Sequence, residues 1–263
     1  VNDLAGRRGT KQLNQSDDRA TEAYTQPGST FKVLAAYLPA LDTGAVTLAT
    51  VWDDAPFTVE SPSGKWSPKN WYDTKTAEFT FWVSNTVPKG IQPSMKILAV
   101  KTLNKVGVNT AFDYLTELGI TSLRSDNAIT DKVLPLALGG ISDGVNMLEL
   151  TSAYGTIANG GVYQKPIFYT KVLDHDGNVL LENTSTDKRV IKETTAFLLT
   201  NAMQDVITQG TGKPAKFETS KIPVAGKTGT TSESKDLVFA GYTPYLVASV
   251  WMGYDTPKEM TYQ

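Results

Sequence analysis

The stretch Thr25–Leu41, TQPGSTFKVLAAYLPAL, carries a serine directly after a Pro-Gly pair and a lysine three residues further on, at the head of an apolar run. Serine is a good helix N-cap and Pro-Gly a good turn, so one reading is a plain helix start. The other is a nucleophile, Ser29, with its base, Lys32, one turn away on the same helix face. A serine hydroxyl is a weak nucleophile until a base takes its proton. Lysine can be that base if burial and nearby positive charge hold its amine neutral. From Phe31 to Leu41 the residues are apolar on most sides, which predicts a buried helix. Its start would desolvate Lys32 and add positive dipole potential. The N–H of Ser29 could also face an oxyanion. An S-x-x-K spacing is common by chance, so this stretch alone leaves both readings open.

Composition narrows the classes. The chain has 263 residues, 40% of them hydrophobic, enough for one large domain or two small ones with a real core. A net charge of −2 argues against a nucleic-acid binder. With no cysteine there is no thiolate catalysis, disulfide or Cys-ligated metal. The single histidine, His175 in LDHDGNV, falls in a hairpin turn, and one histidine cannot supply a multi-histidine metal site. No cofactor or metal is expected. No apolar run approaches the ~20 residues of a membrane span. The opening VNDLAG reads as part of a strand, and the closing TPKEMTYQ does not read as a natural end. The chain is expected to be a fragment of a longer parent.

Periodicity predicts helices at Ile97–Val106, Thr110–Leu118, Leu148–Ala158 and Thr194–Ile207. Residues 47–70, with Pro56, Pro62, Gly64 and Pro68, read as a looped excursion, and 166–183 as a hairpin around Asp176-Gly177. The runs IPVAGKTG, LVFAGY and LVASVWMGY read as late strands. Helices in the middle and strands at the end give an α+β class.

The stretch AGKTGTT, Ala225–Thr231, is not a P-loop: the first glycine of that motif would fall at Lys221, and SKIPVA is strand-like. QGTGK, Gln209–Lys213, reads as a helix-ending turn. As an edge strand, Lys227-Thr228-Gly229 would set a cation and hydroxyls beside a glycine that admits a peptide backbone. Such an edge can take an extended peptide by strand addition.

S-x-x-K followed by K-T-G is shared by penicillin-binding proteins and class A β-lactamases. The longer phrases RATEAYTQPGSTFK, LALGGISDGVNMLELTSAYGTIANGGVYQKP, VITQGTGKPA and VAGKTGTT followed by FAGYTP are more specific. In that order and over nearly the whole chain, 1–263, they resemble the transpeptidase domain of class A (bifunctional) penicillin-binding proteins of Gram-positive type. The resemblance implies an antiparallel sheet flanked by helices, with a helical subdomain and a cleft between them. It implies a parent with an N-terminal membrane anchor and a glycosyltransferase domain, acting outside the cytoplasm. It makes Ser29 the acylated nucleophile and Lys32 its base, with Lys227, Thr228 and Thr230 at the substrate carboxylate and Gly229 beside the substrate backbone. The N–H groups of Ser29 and Thr230 would form the oxyanion hole. The partners it implies are peptidoglycan stem peptides, a D-Ala-D-Ala donor and an amine acceptor, with β-lactams as donor mimics.

One position departs from the family. Its second motif, S-x-N, has two candidates here, Ser84-Asn85-Thr86 and Ser94-Met95-Lys96. The continuation ILAVKTLNKVG favours Ser94, so Lys96 replaces the asparagine that, in the family, bonds the substrate amide and the catalytic lysine. Lysine has no acceptor. Two functions remain: an active D,D-transpeptidase, or a catalytically weak β-lactam-binding or scaffolding module. A β-lactamase would need a residue to activate the deacylating water, and none can be assigned.

Overall fold

The computed structural model describes residues 20–61, 64–72, 84–126, 128–216 and 222–260. The predicted first strand, Val1–Ala5, and the turn-rich stretch 6–18 lie outside them.

A 3₁₀ turn, Gly28–Thr30, feeds a π-helix, Lys32–Tyr37, which continues as α1, Leu38–Asp42. The predicted buried helix is therefore wider than an α-helix over its first half. The Leu38 N–H reaches the Val33 carbonyl, five residues back. Pro39, the next residue, has no N–H to give, so it closes no rung of the ladder where the winding changes. All six π-helical residues are buried.

The Pro-rich stretch corrects the loop reading. It carries β1, Val51–Asp53, β2, Val59–Ser61, and β3, Gly64–Trp66, with Pro56 and Pro68 outside them. β2 and β3 pair with each other, and β1 pairs with β4, Ser84–Thr86. Then come α2, Val87–Ile91, α3, Lys96–Val106, and α4, Val108–Glu117. α3 and α4 match the predicted helices within about two residues, the usual slack of a boundary. α5, Met147–Ala158, is capped by Asn146, whose side chain accepts from the Glu149 N–H at 2.8 Å.

β5, Val162–Gln164, β6, Lys171–Leu173, β7, Val179–Glu182, and β8, Asp187–Arg189, make two small antiparallel pairs, β5 with β8 and β6 with β7. The second is the predicted hairpin, and His175 in its turn is exposed. The long helix α6, Glu193–Thr208, leads to β9, Ala225–Thr230, β10, Asp236–Tyr242, and β11, Val247–Gly253. These form one antiparallel sheet in the order β11-β10-β9, with β9 at an edge. α6 packs on β9, and α5 on β10 and β11. The protein is thus α+β, a sheet flanked by helices beside a helical region built on the π-helix.

The two regions meet where β9 lies on the 3₁₀ turn. Gly28 has φ +52, and a Cβ there would sit 3.1 Å from the Thr230 backbone. A Cβ on Gly229 would come 2.5 Å from the Pro27 carbonyl oxygen. Only glycine permits this approach. Gly229→Ala should therefore force strand and turn apart, at about the 1–3 kcal/mol of an overpacked core. Urea unfolding measures it, and an unchanged midpoint would mean that the contact is loose.

Candidate functional site

Pro27-Gly28 turns the chain so that Ser29 is only partly buried between buried Gly28 and Thr30. Tyr154 of α5, itself buried, donates to the Thr30 carbonyl at 2.8 Å and braces the turn from behind. Lys32 opens the π-helix and is fully buried.

The Lys32 amine does not point at its sequence neighbour. It donates to Ser94, at the hydroxyl (3.0 Å) and at the carbonyl. Among the described residues no hydrogen bond joins it to Ser29. Lys227 of β9, also fully buried, donates to the same Ser94 hydroxyl at 2.8 Å and to the Thr228 carbonyl at 3.0 Å. Ser94 itself is buried and has φ 64, in the left-handed region that non-glycine residues rarely occupy. One hydroxyl thus accepts from two amines and keeps its own O–H to donate, as a proton relay requires. Ser84, the other candidate, sits in β4 opposite Asp53 of β1.

Burial, then the charges of Lys227 and Lys96, drives the Lys32 pKa well below the ordinary lysine value. Burial alone pushes Lys227 down to about 7. Lys32 therefore stands as a neutral amine far more readily than an ordinary lysine does. Lys96, at the first turn of α3, is partly buried and near enough for its charge to act on Lys32. A cation at a helix N-terminus opposes the macrodipole, where an amide would not.

The edge strand gives neighbouring residues different surroundings. Lys227 faces inward to Ser94, while Thr228 is partly buried and Thr230 exposed. The Thr228 hydroxyl bonds that of Thr211 at 2.6 Å. Thr211 belongs to QGTGK, a stretch whose sequence speaks only for a turn; the one further signal in it is a hydroxyl between two glycines just past a long helix. Among the described residues no acidic or histidine cluster could hold a metal ion.

A partly buried serine on a tight turn, two buried amines on a second serine and an edge strand beside them come together as one candidate site. Residues 4–262 match the family model of the penicillin-binding protein transpeptidase domain. Penicillin-binding protein 1A of Clostridium perfringens is 36% identical over an alignment of 266 residues that covers 99% of this chain and 31% of that protein. Penicillin-binding protein 1F of Bacillus subtilis is 36% identical over an alignment of 247 residues that covers 91% of this chain and 32% of that protein. Among solved structures, penicillin-binding protein 1A from Haemophilus influenzae superposes with a TM-score of 0.78 at 25% identity, covering 92% of this chain and 40% of that one. The PonA1 protein from Mycobacterium tuberculosis in complex with penicillin V gives 0.74 at 25% identity, covering 91% and 63%. The chain belongs to the penicillin-binding protein transpeptidase family, in its class A branch. It spans about a third of the length of these curated relatives.

The buried lysines set a pH dependence. In the unfolded chain Lys227 titrates near the ordinary ~10.4, and in the fold near 7. Between those values the unfolded state holds a proton that the folded state lacks, so stability rises with pH. Each such lysine contributes a slope of up to ~1.4 kcal/mol per pH unit. Urea unfolding between about pH 7 and 9.5, below the titration of exposed tyrosines, should show a shallower rise in Lys227→Met than in the parent. Equal slopes would mean that Lys227 is charged in the fold.

Proposed function

We propose that the chain is a serine D,D-transpeptidase that cross-links peptidoglycan stem peptides through an acyl-enzyme on Ser29. The observation that carries the reading is the Ser94 hydroxyl held by Lys32 and Lys227 beside the Ser29 turn. Neutral Lys32 takes the Ser29 proton as Oγ bonds to the carbonyl carbon of the penultimate D-Ala. The N–H groups of Ser29 and Thr230 receive the developing oxyanion. The peptide C–N bond then breaks. The proton passes from Lys32 by way of the Ser94 hydroxyl to the departing D-Ala nitrogen. An amine from a second stem peptide attacks the ester, its proton returns along the same path, and Ser29 is regenerated.

Partly buried Thr228 and exposed Thr230 on the edge strand suit the donor's extended backbone and carboxylate, with Thr211 orienting Thr228, while Gly229 is taken up by the Pro27 contact. Lys227 donates to the Ser94 hydroxyl and works through it. β-Lactams, as donor mimics, acylate the same serine. The setting is the outer side of the bacterial cytoplasmic membrane, where this polymer lies. Among the described residues no helix is long and apolar enough to cross a membrane, so anchoring would belong to other parts of a longer parent.

Intact mass after incubation with penicillin should show one adduct, mapped to Ser29 and lost in Ser29→Ala. An adduct that survives that substitution sinks the assignment. Lys96 favours a second reading, a slow or mainly β-lactam-binding module. It offers the substrate amide no acceptor, and an unpaired polar group costs about 1–3 kcal/mol. Lys96→Asn should then acylate about ten-fold faster. A variant no faster than the parent would show that Lys96 does not limit the reaction.

A further inference from the structure

The loop that carries Ser94 joins α2 to α3 and closes locally through two backbone bonds, from the Ser94 N–H to the Ile91 carbonyl at 3.1 Å and from the Met95 N–H to the Gly90 carbonyl at 2.9 Å. Met95 is the N-cap of α3, and its side chain cannot accept from the first helical N–H groups. Ser94 sits in a conformation that costs energy unless its surroundings impose it. Side-chain support for the loop's far end and for the start of α3 comes from a segment more than twenty positions earlier in the chain.

Asn70 Oδ1 accepts from the backbone N–H of Lys96 at 2.7 Å and of Ile97 at 3.3 Å. It is the cap that Met95 cannot provide. Its Nδ2 is fixed in turn, donating to Asp54 Oδ1 at 2.8 Å and to the Tyr72 hydroxyl at 2.6 Å. Tyr72 closes the ring by donating to the other oxygen of buried Asp54. The amide therefore cannot turn over without losing four partners, Lys96, Ile97, Asp54 and Tyr72. The next residue, Trp71, donates its indole N–H to the Pro93 carbonyl at 2.8 Å. Ser94 is thus gripped on both sides, at Pro93 and at Lys96, by two consecutive residues.

We propose that Asn70, with Trp71, is a positioning residue for the transpeptidase reaction, fixing the Ser94 hydroxyl between the two lysine amines. The inference rests on the function proposed above. Its physical basis is the sensitivity of proton relay to placement: an error of about 1 Å can cost ~100-fold in rate. Neither residue touches Ser29, Lys32 or Lys227 in the contacts described, so their effect passes through the backbone of the Ser94 loop.

The test is acylation of the full chain by a fluorescent penicillin, resolved into a saturation constant and a limiting acylation rate. Asn70→Ala should lower the limiting rate about ten- to a hundred-fold and leave the saturation constant within about three-fold. Trp71→Phe keeps an aromatic ring at this exposed position while losing the five-membered ring and its N–H, and should lower that rate about two- to five-fold. Asn146→Ala removes a cap of the same kind from α5, and should lower the melting temperature while leaving the limiting rate near the parental value. Limiting rates at the parental level in Asn70→Ala and Trp71→Phe overturn the inference, and so does an equal rate loss in Asn146→Ala. If Asn70→Ala does not fold, Trp71→Phe set against Asn146→Ala decides. A parent that penicillin does not acylate at Ser29 sinks the proposed reaction, and this inference with it. An acylated parent with an unmoved Asn70→Ala sinks the inference alone.

Discussion

Two buried lysine amines share one serine hydroxyl, and much of the molecule is arranged to make that tolerable. Burying a charged ammonium costs several kcal/mol unless it is paired, and no carboxylate bonds either amine among the described residues. The alternative is to give up the charge, and both amines have pKa values well below the ordinary one. A neutral amine is what acyl transfer from a serine asks of its base. The same burial that weakens the fold therefore prepares the chemistry, a recurring relation at functional sites.

Three elements distant in sequence deliver the partners. Lys32 comes from the π-helix, Lys227 from the edge strand β9 and Ser94 from the loop before α3. Their meeting depends on short contacts that only small or backbone groups allow, above all the approach of β9 to Pro27-Gly28. Tyr154 then ties the turn to α5, and α5 packs on the sheet. The site is a joint between the sheet and the helical region, which is where clefts commonly form.

Lys96 changes the balance at this joint without dissolving it. Its charge adds to those forces that keep Lys32 neutral, yet it places a cation at the N-terminus of α3 and withholds an amide from the cleft. The helix start survives because its N–H groups are satisfied by Asn70, a residue outside the helix. The identity of residue 96 is thereby uncoupled from the capping of α3, so a change in side chain there need not unmake the loop.

Much was determined by the sequence alone. Periodic apolar spacing marked α3 to α6, alternation marked β9 to β11, and the phrases around Ser29, Lys32 and Lys227 marked the family, because these signals are local and need only neighbours a turn or a strand apart. The choice of Ser94 over Ser84 also came from local wording, ILAVKTLNKVG. Only the tertiary structure decided the rest. The π-winding of Lys32–Tyr37 was hidden because an all-apolar run has no period to betray it. The short strands around Pro56 and Pro68 take their partners from each other or from β4, and three residues are too few for a pattern. That Lys32 turns to Ser94 rather than Ser29, that Thr211 meets Thr228 and that Asn70 caps a distant helix are contacts across 62, 17 and 26 positions. Sequence spacing carries no information about such pairs, since the fold brings them together and nothing local does.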